Sequence, residues 1–171
     1  MAVSTPKKSN IQQEVKAVGF YVGDEEYAVY IHNVREIYPM TEIRKIPKAP
    51  KFVEGVINLR GSIIPIIDLR RRFDMSPTDL TKFNSKILIV ELDKNQIGMI
   101  VDNVSEVMNF NMNDIEKAPP MFAANIDSQY ISGVAKIEER LVILLNIEKL
   151  LSFEEKNALK SLGWCFTPLR K

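Results

Sequence analysis

Few of the residues that do covalent or acid–base chemistry stand where they could do it. His32 is the only histidine and Cys165 the only cysteine in 171 residues. A serine hydrolase would have to draw its base from His32, which has Asn33 and Arg35 beside it, and no Gly-x-Ser-x-Gly elbow occurs in the chain. One cysteine excludes an internal disulfide and a multi-cysteine metal site, and one histidine excludes a histidine-built site. There is no Walker-type glycine run and no Gly-x-Gly-x-x-Gly. No cofactor and no metal is expected, and the chain does not read as an enzyme. The acidic groups Asp24-Glu25-Glu26 and Glu138-Glu139 fall at predicted turns, where acids are ordinary. The run Arg70-Arg71-Arg72 reads as the solvated face of a short helix. What remains is a binding candidate, the charged tetrapeptide Asn58-Leu59-Arg60-Gly61.

The elements around that tetrapeptide must present it. Two runs of β-branched and other apolar residues, Phe52–Leu59 and Ile63–Leu69, flank it, which predicts a β-hairpin. Gly61 supplies the positive φ of a tight reversal while Arg60 is held out into water. Pro65 has no amide donor, so its strand must meet a bulge or a sheet edge there. Upstream, Val15–Val22 and Tyr27–Tyr30, separated by Gly23-Asp24, predict a first hairpin. Ile31, Val34 and Ile37 follow at intervals of three, the spacing of a short helix with one apolar side. Asp68 is a good N-cap for a turn or two of helix.

The second half repeats this layout. Lys86–Leu92 and Gln96–Val101 form another predicted hairpin, and Asp102-Asn103-Val104-Ser105-Glu106-Val107 echoes His32-Asn33-Val34-Arg35-Glu36-Ile37. Tyr130–Ile137 aligns without gaps on Phe52–Leu59, and Leu141–Ile147 on Ile63–Leu69. Such self-similarity in short strands predicts two copies of one β unit. A unit of about five short strands buries a sheet face only by closing on itself. The fold class expected is therefore all-β, with two intimately packed small five-stranded SH3-like barrels, short helices and a C-terminal helix. The expected divisions are a mobile arm over 1–13, a paired unit over 14–151 and a helix with tail over 152–171. The first barrel would cover about 14–80 and the second about 81–151, with exchange of strands between them allowed. Ser152 with Glu155 makes a capping box for a helix over about 152–162.

The repeat separates scaffold from specialisation. Gly55 with Gly133 and Val56 with Val134 agree between copies, as a shared barrel requires. Arg60 and Gly61 stand where the second copy has Glu138 and Glu139, so the fold closes without an Arg-Gly tip. Net charge is +1, from 23 basic and 22 acidic residues, so no global field favours nucleic acid or an anionic membrane. No apolar run reaches the roughly 18 residues that cross a bilayer, and the start is polar rather than signal-like, which fits a cytoplasmic protein. Small barrels commonly bind nucleic acid on stacked aromatics in a basic groove. That is the alternative function, although Phe52 and Tyr130, the best-placed rings, occupy equivalent repeat positions that suit packing.

The stretch Phe-Val-Glu-Gly-Val-Ile-Asn-Leu-Arg-Gly at 52–61, with Ile-Ile-Pro-Ile-Ile-Asp-Leu-Arg at 63–70, resembles the signature of the CheW family. These are chemotaxis adaptors that couple receptors to the histidine kinase CheA, and the likeness extends more loosely from about Glu14 to Leu151. The resemblance implies paired five-stranded barrels with a further apolar core between them. It places Arg60 and Gly55 on a receptor-coupling surface, with Ile31, Val34 and Ile37 on the same surface and Asn58 both holding the turn and touching the receptor. A packing role for Ile31 and Ile37 is the rival reading. The partners implied are the helical cytoplasmic tip of a chemoreceptor and the regulatory domain of CheA, with no direct membrane insertion.

Overall fold

The computed structural model describes residues 14–76, 85–117 and 128–161. The expected N-terminal arm, the linker after Ser76 and the Trp164–Lys171 tail lie outside the described residues. The first hairpin is β1 (Glu14–Val22) and β2 (Glu25–Tyr30). After a single 3-10 turn over Ile31–Asn33 come β3 (Val34–Pro39), β4 (Gly55–Leu59), β5 (Ser62–Asp68) and the short helix α1 (Leu69–Arg72). The second half has β6 (Lys86–Leu92), β7 (Asn95–Val101), β8 (Asn103–Asn111), β9 (Ile115–Glu116), β10 (Ile131–Ile137) and β11 (Arg140–Leu145), then helix α2 (Phe153–Ser161).

The fold is all-β, in two curled sheets. One has the order β8-β1-β2-β11-β10-β9 and the other β3-β6-β7-β5-β4. The sheets do not part near residue 80. The five-stranded sheet uses the middle of the chain, 34–101, and the other uses the flanks. Parallel pairing of β2 with β11, Tyr27 opposite Ile143, brings the first hairpin into the second barrel. The sixth strand, β9, has a counterpart in the other barrel that is reduced to one bridge, Arg44 opposite Val56.

Three apolar cores follow from strand alternation. Ile57, Leu59, Ile64, Ile66, Ile87, Ile89 and Ile100 fill the five-stranded barrel. Ala17, Ala28, Met108, Phe110, Ala135, Val142 and Leu144 fill the other. The opposite faces, including Phe20, Tyr27 and Ile143 from one sheet and Leu88, Val90 and Met99 from the other, make a larger core between the barrels. Strands buried on both faces read as continuous apolar runs, which is how Lys86–Leu92 and Gln96–Val101 appear in the sequence.

Candidate functional site

The β4–β5 hairpin turns in two residues. Arg60 (φ 52°) and Gly61 (φ 90°) both take left-handed backbone, the geometry of a type I′ turn. Asn58 fixes it by accepting a hydrogen bond from the Gly61 amide at 3.0 Å. Pro65 faces Val56 on β4, and β5 pairs with β7 only from Ile66 onward, so the missing donor falls where no ladder needs it. From the tip Arg60 reaches β3 at the opposite edge of the sheet, with Nη2 2.5 Å and Nη1 3.4 Å from the two Glu36 carboxylate oxygens. Hydrogen bonding to Glu36, reinforced by its charge, raises the guanidinium pKa above its ordinary value. The Arg60 side chain nevertheless stays 70% exposed. A single ion pair open to water is easily exchanged for another partner.

The helix expected from the spacing of Ile31, Val34 and Ile37 is a 3-10 turn followed by a strand. Val34 and Ile37 share a face for another reason. Val34 lies opposite Val90 and Ile37 opposite Leu88, both in the inter-barrel core, while Glu36 lies opposite Ile89 of the barrel interior. An extra residue in β3 between them, a bulge on an edge strand, puts the three-residue spacing on one face. Val34 packs against the inter-barrel core and Ile37 is 43% exposed beside it. Ile31 is exposed too, but it lines a separate apolar groove with Val15, Tyr30 and Met112. Neither Ile31 nor Ile37 is a core residue.

Gly55 is buried. A Cβ there would lie 2.5 Å from the Arg44 carbonyl oxygen and 2.6 Å from Ile43 Cγ2. Gly133, its repeat partner, would meet Ile115 Cγ2 at 2.6 Å. Both glycines therefore admit the segment that closes their barrel. Gly55 can act on a docking surface only by holding that segment down.

Sequence reasoning missed Glu36, the acid that holds Arg60, and Ile63, which is 59% exposed across from Asn58. It also missed Val107 on β8, 50% exposed. The signal for Val107 was the echo of His32–Ile37 in Asp102–Val107. β8 is likewise an edge strand with an extra residue, which sets Val104 and Val107 opposite Phe20 and Val18 of the inter-barrel core.

The arginine run is not a solvated face. Arg70 binds Asp102 through Nε (2.9 Å) and Nη2 (2.7 Å), Arg71 pairs with Glu54, and Arg72 grips both Glu155 oxygens at 3.0 and 3.1 Å. Arg72 also lies over the Phe52 ring, and Tyr130 stands against Phe73, so both repeat aromatics are used in packing. Nor are the acids at turns all ordinary. Glu26 is buried, within 3.1 Å of Arg140 Nε and hydrogen-bonded by Ser105 Oγ at 2.9 Å. No described helix is long and apolar enough to cross a membrane.

Comparison with known proteins fits this geometry. The chain is 38% identical over 136 residues to the chemotaxis protein CheW of Klebsiella aerogenes, covering 80% of this chain and 81% of that one. It is 33% identical over 153 residues to CheW of Treponema pallidum, covering 88% and 89%. The crystal structure of the scaffolding protein TtCheW from Thermoanaerobacter tengcongensis superposes with a TM-score of 0.75 at 37% identity, covering 84% of this chain and 92% of that one. Residues 16–155 match the CheW-like domain. With two curled sheets around a shared core, and this match over most of its length, the chain belongs to the CheW-like family of chemotaxis scaffold proteins.

Proposed function

We propose that the chain is a non-catalytic adaptor that docks the helical cytoplasmic tip of a chemoreceptor and the regulatory domain of the kinase CheA. The observation that carries this reading is the presence of one bulged edge strand in each sheet. β3 and β8 each present an aliphatic residue, Ile37 and Val107, at the margin of the same inter-barrel core. An amphipathic helix laid between them would cover Val34, Ile37, Val104 and Val107, with Arg60 donating hydrogen bonds at the rim in place of, or beside, Glu36. Asn58 and Gly61 set the turn that aims Arg60, and Gly55 holds the closing segment beneath it. Ile31 sits on other surface and is left out of this contact.

For CheA the reading is barrel on barrel, through the exposed ends of strands, in an array attached to the membrane only through its receptors. Weak contacts suffice there, because a lattice raises effective concentration. The test is a pull-down with a receptor-tip fragment and, separately, with the CheA regulatory domain. Ile37→Asp and Val107→Asp are expected to lose the receptor fragment while keeping their melting temperatures. Retention of the fragment by both would refute the furrow.

A further inference from the structure

Among the described residues, a stretch of unneutralised charge lies in the connection between β3 and β4. Arg44-Lys45-Ile46-Pro47-Lys48-Ala49-Pro50-Lys51 holds four cations and no acid in eight residues. All four side chains are exposed. Elsewhere, Arg35, Arg60, Arg70, Arg71, Arg72, Arg140 and Lys156 each have a carboxylate within ion-pair distance. Among the described residues, none of Arg44, Lys45, Lys48 and Lys51 does. Of the flanking acids, Glu42 makes no ion pair with the strip, and Glu54 feels Lys45 but is already paired with Arg71.

The backbone displays these lysines deliberately. Two successive β-turns close with Ala49 N donating to Ile46 O at 3.2 Å and Val53 N to Pro50 O at 3.1 Å. Lys48 sits at the third position of the first turn with φ 68°, after Pro47, where a glycine or asparagine would rest without strain. A strained, exposed, charged residue is a reason to look for a partner. Beyond Lys51 the strip runs into a cavity of about 420 Å³ that Phe52, Arg71 and Tyr130 also line.

We propose that the Arg44–Lys51 strip is a docking surface for an acidic segment of a protein partner. Charge complementarity carries this, and the surroundings choose among polyanions. Phe52, in the cavity at the end of the strip, is covered by Arg72 rather than free to stack on a base, which disfavours a nucleic acid. No exposed large apolar side chain lies between Met40 and Glu54 to enter a lipid surface, so the second signal that stable membrane anchoring needs is missing. A carboxylate-bearing peptide needs neither a stacking platform nor an apolar anchor, and it fits. The side chains of this surface are not those of the receptor reading, so Arg60→Glu leaves it intact and the two proposals fail separately.

The test is titration of the full chain with a glutamate-rich helical peptide, its glutamine counterpart, mixed phosphatidylglycerol–phosphatidylcholine vesicles and a single-stranded oligonucleotide. The glutamate peptide is expected to bind, more weakly as salt rises, and the glutamine peptide not to bind. Lys45→Gln, Lys48→Gln and Lys51→Gln together should lower affinity about tenfold, while Lys136→Gln with Lys149→Gln should leave it unchanged. Lys48→Gly separates function from folding, since it should raise the melting temperature and weaken the peptide. Equal binding by the triple variant, preference for vesicles or oligonucleotide over peptide, or no binding at low salt would each overturn the proposal.

Discussion

The β4–β5 and β10–β11 hairpins occupy equivalent places in their barrels, turn in the same number of residues, and use an arginine in opposite ways. In the first, Arg60 is at the tip, mostly in water, with one acid, Glu36. In the second, the tip is Glu138-Glu139 and the arginine is moved to Arg140, at the start of the strand. There it meets Glu106 at 2.5 Å, buried Glu26 at 3.1 Å and Glu138 at 3.9 Å. Glu36 and Glu106 are themselves equivalent in the repeat, so both barrels tie the hairpin to an edge strand by the same charge pair. Only the second tie reaches a buried carboxylate. One arginine is thus committed to the fold, and its counterpart, mostly in water, is the one that the proposed receptor contact uses.

The largest effect should come from breaking the committed side. Arg140→Ala leaves the Glu26 carboxylate buried with Ser105 alone and should cost about 2–3 kcal/mol, moderated because Arg140 itself is partly in water. Adding Glu26→Gln should recover most of that in chemical denaturation, and failure to recover would mean that Arg140 acts through packing. Next in size are the barrel-closing glycines. Gly55→Ala and Gly133→Ala each force a methyl into the crossing segment and should cost about 1–3 kcal/mol, the former more because it meets a backbone oxygen at 2.5 Å where Gly133 meets a side chain first. A neutral Gly55→Ala would contradict the closure role.

The turns differ more finely. Gly61→Val places a branched side chain at φ 90°, with open space around it, and should cost roughly 1–2 kcal/mol through the backbone alone. Glu139→Val, at a position without positive φ, should cost little. Equal melting temperatures for the two variants would refute the assignment of different turns.

The smallest contrast is at Glu54, where the second copy has Ser132, whose hydroxyl donates to the Leu144 carbonyl. Burial raises the Glu54 pKa, against the opposing charge of Arg71 and, more weakly, Lys45, with Asp68 adding to the rise. The folded chain therefore keeps this proton to a higher pH than the unfolded chain. Ionised Glu54 lowers stability above the folded pKa, and that cost vanishes below the unfolded one. Any advantage of Glu54→Gln over the native chain should shrink as pH falls from about 7 to about 4, read from urea midpoints. An advantage that grows on acidification would contradict the sign.

Much of this was legible in the chain. The central hairpin, its Asn58 and Gly61, the Asp68 cap and the Ser152–Glu155 capping box are local, and local chemistry is what a sequence displays. The duplication was visible because both barrels must place glycine at the same crossing. Non-local pairing was hidden. Nothing near Tyr27 announces that its strand will lie parallel to Ile143, and so the division of the sheets could not be read. The spacing of Val34 and Ile37 has two physical causes, a helix or a bulged strand, and the pattern alone does not choose between them. The arginine run looked solvated because its acids Asp102 and Glu155 are distant in sequence. In α2 Phe153 is exposed and Leu159 is the buried residue, a division that the composition of this short helix does not announce.

The division of labour between the two arginines is tested most directly by Arg60→Glu in one titration against a receptor-tip fragment, with thermal unfolding recorded on the same sample. The account predicts an unchanged melting temperature and a clear loss of receptor binding. Normal receptor binding by the Arg60→Glu protein, or its unfolding, would contradict it.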